Sequence, residues 1–447
     1  MITELSKYLF LILMVLYTLQ CFNMFKYKEE KAKNHLLYRQ LTLIVLMNVL
    51  AFLVIFLKTQ DTKVIVYFAQ VIFYMIAVQI LYRVIYKKAS LLLINNMCML
   101  LTVGFIILSR LDLDAAMRQF WIVAAGTAFA LVLPVIIRKL TFLPKLTWLY
   151  AGIGILLLGA VLVLAQTTYG AKLSLFGVQP SEFVKILFVF CLAALLWQEP
   201  DFKRVVIVTA IAGAHVLILV LSKDLGSALV FFITYLVMVF VATKKPLYLG
   251  IGILGGVGAS IASYYLFAHV RQRVVAWKDP FSVYDSEGYQ IVQSLFAIGT
   301  GGWFGMGLYQ GSPKSIPVVQ EDFIFAAICE EFGIFFAICL ILVCMSFFIM
   351  IVNISLQIKK PFYKLIALGL GTEYAFQVFL HVGGAIKFIP MTGITLPFIS
   401  QGGSSALSSI IVVAIIQGLY ILREDEEEEF ERRKKAREGI TETPKKK

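Results

Sequence analysis

The residues of this sequence most able to do chemistry are carboxylates and cations at the edges of apolar runs. Asp322 stands directly before Phe323-Ile324-Phe325-Ala326-Ala327-Ile328 and after a long polar, glycine-rich stretch. A carboxylate at such a junction lies at a membrane surface. Partial loss of hydration there raises its pKa and its basicity, so it suits a general base acting on a hydroxyl of a lipid-anchored substrate. The same position suits a helix N-cap, a role Asp fills well, and residue type alone does not choose between the two. Glu321 is either a solvated neighbour or a like charge that lifts Asp322 further.

Other ionisable groups fall inside or beside apolar runs, where charge is costly and faces a partner, a cavity or a substrate path. In Gln179-Pro180-Ser181-Glu182-Phe183-Val184-Lys185, the proline suits a helix start. Glu182 complements the helix dipole in the first turn, and Glu182 and Lys185 are spaced to meet on one face. Lys223-Asp224-Leu225-Gly226-Ser227 forms a second charged corner. Glu330 and Glu331 follow Asp322 by two turns, and Glu373 and His381 sit in the next apolar run. An interhelical salt bridge that orders a bundle is the competing reading for Glu182, Lys185 and Glu331, and ordinary hydrogen bonding is that for His381.

The elements that must position these groups follow from composition. The chain has 447 residues, of which 60% are hydrophobic and 15% charged, and its mean hydropathy is +0.86. One water-soluble core could not hide so much apolar surface. Apolar runs of about 20 residues recur, and in hydrocarbon they must fold as helices; the alternating ten-residue strands of a β-barrel are absent. About thirteen spans are expected, at roughly 7–25, 40–57, 64–86, 90–109, 119–137, 146–166, 183–198, 204–221, 226–243, 247–268, 323–352, 363–385 and 405–422. Basic groups at Lys26 to Arg39, Arg83 to Lys88, Arg138 to Lys145, Lys203 and Arg204, Lys244 and Lys245, and Lys359 to Lys364 fall on one side if the N-terminus is outside and the C-terminus inside. The net charge of +13 therefore sets topology, and nucleic acid is not an expected partner. The six cysteines lie unpaired in apolar segments and the four histidines are scattered, so neither a disulfide framework nor a metal motif is read. Met1 to Met24 reads as a retained span, not a cleaved leader, and no phosphate-binding loop is present. From about Val270 to Glu321 some fifty residues without periodic structure are expected as one large outer loop, and loops of that length are usually functional. The acidic run Glu424 to Glu429 and the basic residues after it read as a solvated tail.

In this order and spacing the motifs resemble the SEDS family (shape, elongation, division and sporulation), the FtsW/RodA/SpoVE group of bacterial cell-wall proteins. The blocks are the two charged motifs above, Gly288-Tyr289-Gln290 with Gln293-Ser294, Ala297-Ile298-Gly299, and Gly301-Gly302 with Gly305-Met306-Gly307. Asp322-Phe323-Ile324-Phe325 with Glu330-Glu331-Phe332-Gly333, and Pro390 to Ser405, complete them. The resemblance covers roughly residues 90 to 424 and implies an all-α polytopic membrane protein with a ten-helix SEDS-type core. About three extra N-terminal transmembrane helices would occupy residues 1–89, and 425–447 would be a charged cytoplasmic tail. Four positions depart from the common pattern: Val318 after Pro317, Glu321 where Thr is frequent, His381 for Asn, and Gln401 for Tyr.

The resemblance further implies a peptidoglycan glycosyltransferase that polymerises lipid II on the outer face beside a class B penicillin-binding transpeptidase. It maps the catalytic aspartate onto Asp322, cavity charges onto Glu182, Lys185 and Asp224, and the Gly-Gly-Ser-Ser loop onto Gly402, Gly403, Ser404 and Ser405. Glu321, Glu330 and Glu331 would be supporting residues. The departing diphosphate needs cations, for which Arg271, Arg273, Lys278, Lys314 and Lys387 are the candidates. A divalent cation such as Mg2+ or Mn2+ could assist, although no dedicated site is visible. Lipid tails require a groove whose walls the sequence does not identify. A lipid II flippase and a non-enzymatic scaffold for the transpeptidase are the competing functions.

Overall fold

The computed structural model describes residues 2–27, 29–165, 173–286 and 288–437; Met1, the end of the span expected to reach 166, and the last ten residues of the tail lie outside them. Because hydrocarbon offers no partner to a free peptide group, the apolar runs fold as helices. First come α1 (Ile2–Asn23), α2 (Glu30–Thr59) and α3 (Thr62–Ile85). They are followed by α4 (Leu91–Leu111), α5 (Leu113–Ala130), α6 (Leu133–Lys139), α7 (Thr147–Leu164), α8 (Ser181–Leu196), α9 (Phe202–Leu221), α10 (Leu225–Thr243) and α11 (Pro246–Leu266). Then come α12 (Ala268–Lys278), α13 (Tyr289–Gly301), α14 (Ile324–Phe332), α15 (Ile334–Gln357), α16 (Pro361–Ala385) and α17 (Gly403–Arg437). Among the described residues the only β pairing is one isolated bridge between Leu175 and Val178, so the chain is an all-α polytopic membrane protein.

Among the described residues twelve stretches are long and apolar enough to cross a membrane, α5 and α6 counting as one, against the thirteen expected. The difference is α8, only 16 residues long. It packs against α7, α10, α16 and α17 inside the bundle. The run expected as one span over 323–352 is two helices. Gly333 breaks it at φ +86, where a Cβ would lie 2.4 Å from Gly305 N and 2.5 Å from the Phe304 carbonyl carbon. Ile334 N donates to Gly302 O at 3.0 Å there. The outer segment expected to lack periodic structure contains α12 and α13. The apolar residues of α13 fall at helical spacing, burying Ile291, Val292 and Ala297. Its last residue, Gly301, lies so close to α14 that a Cβ would come within 2.1 Å of Cys329 O.

The centre of the bundle is α4, nearly all of whose residues are buried. It packs against α2, α3, α5 and α15, while α1 lies along α15. Polar side chains join these helices: Tyr17 Oη donates to Asn96 Oδ1 at 3.0 Å, Asn96 Nδ2 to Ser346 Oγ at 3.3 Å, Asn95 Nδ2 to Gln40 Oε1 at 2.9 Å and Asn48 Nδ2 to Thr102 Oγ1 at 2.9 Å. Such bonds contribute about 1 kcal/mol each between helices in a membrane. At one end of the bundle the acidic turn of α17 reaches basic residues of α6 and of two connections: Asp425 pairs with Lys88 at 2.7 Å and Arg138 at 2.6 Å, and Glu426 with Lys360 at 3.6 Å.

At the opposite end, Arg110 in the last turn of α4 ties down the outer segment. Its Nε donates to Glu331 Oε1 at 2.8 Å and its Nη2 to Gly311 O at 3.0 Å, and the guanidinium stacks 4.2 Å over the Tyr309 ring. Glu331 is fully buried. Arg110→Ala strands that carboxylate, so it should cost about 3 kcal/mol or more and lower the thermal midpoint in detergent. Arg110→Lys should recover only part of the loss, because an ammonium cannot reproduce the planar fork.

Candidate functional site

Asp322 does not cap a helix. α14 begins at Ile324 with Phe323 in the capping position and no side-chain cap bond. The Asp322 and Glu321 amides instead donate to Val318 O, at 3.2 and 3.1 Å, closing a turn in which Val318 takes φ +55. This turn leaves the Asp322 carboxylate facing a chamber of about 1050 Å³.

The chamber wall comes from six parts of the chain. His269, Gln272, Arg273 and Ala276 line it from α12, and Lys223 and Asp224 from the turn before α10. Gln179 precedes α8 and Tyr289 and Gln290 open α13; Glu321 and Asp322 face Met391, Thr392, Gly393 and Thr395 from the last connection. Gly393, at φ +74, brings bare backbone to the carboxylate, so that a Cβ there would sit 3.9 Å from Asp322 Oδ2. Arg273 Nη1 lies 3.4 Å from both Met391 O and Thr392 O. Asp224 caps α10 by accepting from Ser227 N at 3.1 Å, and Ser181 Oγ donates to its other oxygen at 3.4 Å.

Asp322 opens to the chamber on one side and is crowded by protein on the others. Burial, and secondarily the Glu321 charge, push its carboxyl up to about 6, against the opposing pull of Arg273. Burial also raises Glu321. Burial lowers Arg273 while Asp322 and Asp224 favour its charged form. Arg273, Met391 and Thr392 belong as well to an adjoining apolar groove of about 620 Å³, which runs between α9, α10, α11 and α16 past Phe232, Tyr264 and Phe376. A chamber with charged side chains in its wall thus shares part of that wall with an oily groove.

The structure brings Asp322, Glu321, Asp224 and Arg273 together and leaves the other expected residues elsewhere. Glu182 and Lys185, expected to line the cavity, form an ion pair at 2.6 Å inside the bundle. Lys185 also donates to Gln377 Oε1 at 3.1 Å and Ser408 donates to Glu182 at 2.7 Å. They are absent from the chamber wall because α8 points them at α16 and α17. Arg271 and Lys278, seven residues apart on α12, share its exposed face, opposite the His269, Gln272, Arg273 and Ala276 face. Lys387 contributes its carbonyl to Trp277 Nε1 at 3.2 Å, and its side chain is not part of the wall. Lys314 lines a separate polar cup with Arg110, Asp61 and Asp112.

The Gly-Gly-Ser-Ser loop braces the site from behind: Gly402 N donates to Gln119 Oε1 at 3.1 Å, Ser404 Oγ accepts from Gln179 N at 2.9 Å, and Ser405 and Thr395 hydroxyls bond at 2.7 Å, while Gly403 opens α17. Glu330 accepts from Ser312 N at 2.7 Å and Glu331 from Tyr309 N at 3.2 Å. Lys223, His269 and Gln272 were not anticipated as chamber cations and donors. The three-and-four spacing of 269, 272, 273 and 276 was the available signal, hidden by the expectation of an aperiodic loop.

The family model FtsW/RodA/SpoVE, described as cell cycle protein, matches residues 84–424. The peptidoglycan glycosyltransferase RodA of Mycobacterium tuberculosis (strain CDC 1551 / Oshkosh) is 34% identical over 365 residues, covering 73% of this chain and 76% of that protein. Stage V sporulation protein E of Bacillus subtilis (strain 168) is 36% identical over 253 residues, covering 54% and 70%. A chain from a structure of a peptidoglycan synthase complex that coordinates polymerization and crosslinking aligns with TM-score 0.64 at 24% identity, covering 75% of this chain and 98% of that one. Thermus thermophilus RodA aligns with TM-score 0.55 at 22% identity, covering 75% and 97%. These two share the fold.

A carboxyl raised from 3.8 to about 6 binds its proton more tightly in the folded than in the unfolded chain. Stability should therefore fall as pH rises from about 4 through about 6 and stay level above that. Asp322→Asn lacks this loss. Its thermal midpoint in detergent should match the unsubstituted chain at pH 4 and exceed it at pH 7 and 8.

Proposed function

The chain belongs to the FtsW/RodA/SpoVE family of cell cycle proteins, and on that premise we propose that it is a peptidoglycan glycosyltransferase of the bacterial cytoplasmic membrane, polymerising lipid II into β-1,4-linked glycan at the outer face. The observation that carries this reading is the shared wall of Arg273, Met391 and Thr392 between the charged chamber holding Asp322 and the apolar groove. A substrate with a diphosphate-sugar head and a polyprenyl tail needs those two environments side by side. The product serves cell shape, division or sporulation.

Asp322 accepts the proton of the acceptor sugar's 4-hydroxyl as that oxygen attacks the anomeric carbon of the donor. The bond from that carbon to the diphosphate oxygen breaks, the configuration inverts, and the diphosphate leaves on its lipid. Arg273, supported by Lys223 and Gln272, meets the charge that builds on the leaving group. Its two carbonyl contacts keep the guanidinium aimed along the wall without neutralising it. Among the described residues no cluster of three or more His, Cys, Asp or Glu gathers for a metal. A divalent cation such as Mg2+ or Mn2+ would therefore come with the diphosphate, with Asp224 and Glu321 as the wall carboxylates available to it, and would offset phosphate charge. A class B transpeptidase is the expected protein partner, in keeping with a structural neighbour that belongs to a complex for polymerization and crosslinking. We read residues 1–89 as an extension, 90–424 as the catalytic core and 425–447 as a tail.

Purified chain in detergent should polymerise lipid II, and Asp322→Asn should abolish that activity with the protein still folded. Polymerisation by Asp322→Asn at the unsubstituted rate would overturn the base assignment, and activity only in sealed vesicles would point to a flippase instead. Because the base must be ionised, kcat/KM should fall as pH drops through about 6. Glu321→Gln, which removes the neighbouring charge, should move that limb to lower pH.

The distribution of basic loops supports a topology with the N-terminus and chamber outside and α17's charged end in the cytoplasm. A fluorescent protein that matures only in the cytoplasm should fluoresce when fused to the C-terminus, and a periplasm-dependent phosphatase fused there should stay inactive.

A further inference from the structure

The Asp322 carboxylate has no hydrogen-bond donor among the described residues, so its placement depends on the backbone that leads into it. That backbone is held from one side. Gln401 N donates to Gln320 O at 2.8 Å, and Ser400 Oγ donates to Glu321 O at 2.7 Å while accepting from Leu396 N at 2.9 Å. The two residues before Asp322 are therefore tied to the turn at 400–402.

That turn is in turn gripped by one side chain from another helix. Gln119 of α5 is buried, at 3% exposure. Its Nε2 donates to Ser400 O at 3.0 Å and its Oε1 accepts from Gly402 N at 3.1 Å. Both ends of the carboxamide are thus used on two backbone groups that flank Gln401. A primary amide is the side chain that can offer a donor and an acceptor to such a pair at once. Buried groups of this kind leave backbone partners unsatisfied when removed, and the displaced partner here lies one hydrogen bond from the segment carrying Asp322.

We propose that Gln119 is a positioning residue for Asp322: it clamps the turn at 400–402, and the turn fixes the backbone of Gln320 and Glu321 so that the carboxylate meets its substrate hydroxyl in line. This rests on the reading of Asp322 as the base. Gln119 touches neither substrate nor the reacting atoms; it acts through Ser400 and Gly402.

The test uses the full chain in detergent with lipid II, comparing Gln119→Met, Ser400→Ala, the double variant and Asp322→Asn. Gln119→Met keeps length and bulk and loses both bonds. Each single variant should lower kcat on the order of tenfold or more, because small misplacements of a reacting group are that costly, with KM within about twofold. The two changes break one chain of contacts, so the double variant should be no slower than the slower single one. A loosened Asp322 sheds part of its burial, so the acid limb of the rate profile should shift to lower pH. Should Gln119→Met fail to fold, Gln119→Glu, which retains the bond from Gly402 N, takes its place. Loss of activity in Asp322→Asn together with an unchanged kcat per folded molecule in Gln119→Met would overturn the positioning role alone, as would effects that multiply in the double variant. An active Asp322→Asn would overturn the base reading and the positioning with it.

Discussion

Irregular backbone at the edge of a membrane must find its hydrogen bonds inside the protein, and the architecture around the chamber answers to that constraint. Two stretches without α-helix, 302–323 and 386–402, supply the chamber wall at and opposite Asp322. Neither is left to solvent for its partners. Glu330 and Glu331 take up the amides of Ser312 and Tyr309, Arg110 takes the carbonyl of Gly311, and Gln119 takes both sides of Gln401. Charged and amide side chains that look like candidates for chemistry are in large part the hydrogen-bonding complement of unfurled backbone. This explains why the chamber can hold few ionisable groups within a chain that has many.

The same constraint separates what could be read in the sequence from what could not. Helical spans, their number to within one, and the junction at Asp322 followed from apolar run length and the position of a single carboxylate, both local properties. The break at Gly333 was not legible, because its cause is the close approach of Gly305 some thirty residues earlier. The division of cations between chamber and exterior failed for a related reason. Arg271, Arg273 and Lys278 have equal charge and near-equal sequence position, and only the rotation of α12 distinguishes them. The spacing of Glu182 and Lys185 makes them a pair, but whether a pair faces a cavity or a neighbouring helix depends on α16 and α17, which lie about 190 residues or more away in sequence. Gln119 carried no charge and stood in no singled-out motif, so nothing marked it.

The N-terminal helices join the bundle by a different chemistry from the one that holds the chamber. Tyr17, Gln40 and Asn48 reach Asn96, Asn95 and Thr102 with neutral side chains. Neutral amides and hydroxyls can be buried against hydrocarbon at modest cost once paired, whereas ions there demand closer compensation. The Lys88, Arg138, Lys360 and Arg110 pairs accordingly lie at the two ends of the bundle, whereas the Glu182–Lys185 pair is held inside it by Gln377 and Ser408.

The last helix gives this arrangement a mechanical property. α17 runs unbroken from Gly403, next to the turn that Gln119 grips, to Arg437, a length of about 50 Å at 1.5 Å per residue. Its far portion is fastened to α6 and to two separate connections through Asp425 and Glu426. A rod without a joint does not absorb a push along its length; it passes it on as a translation or a tilt. The site turn and the opposite end of the bundle are therefore two ends of one stiff lever, mounted at its base on those ion pairs.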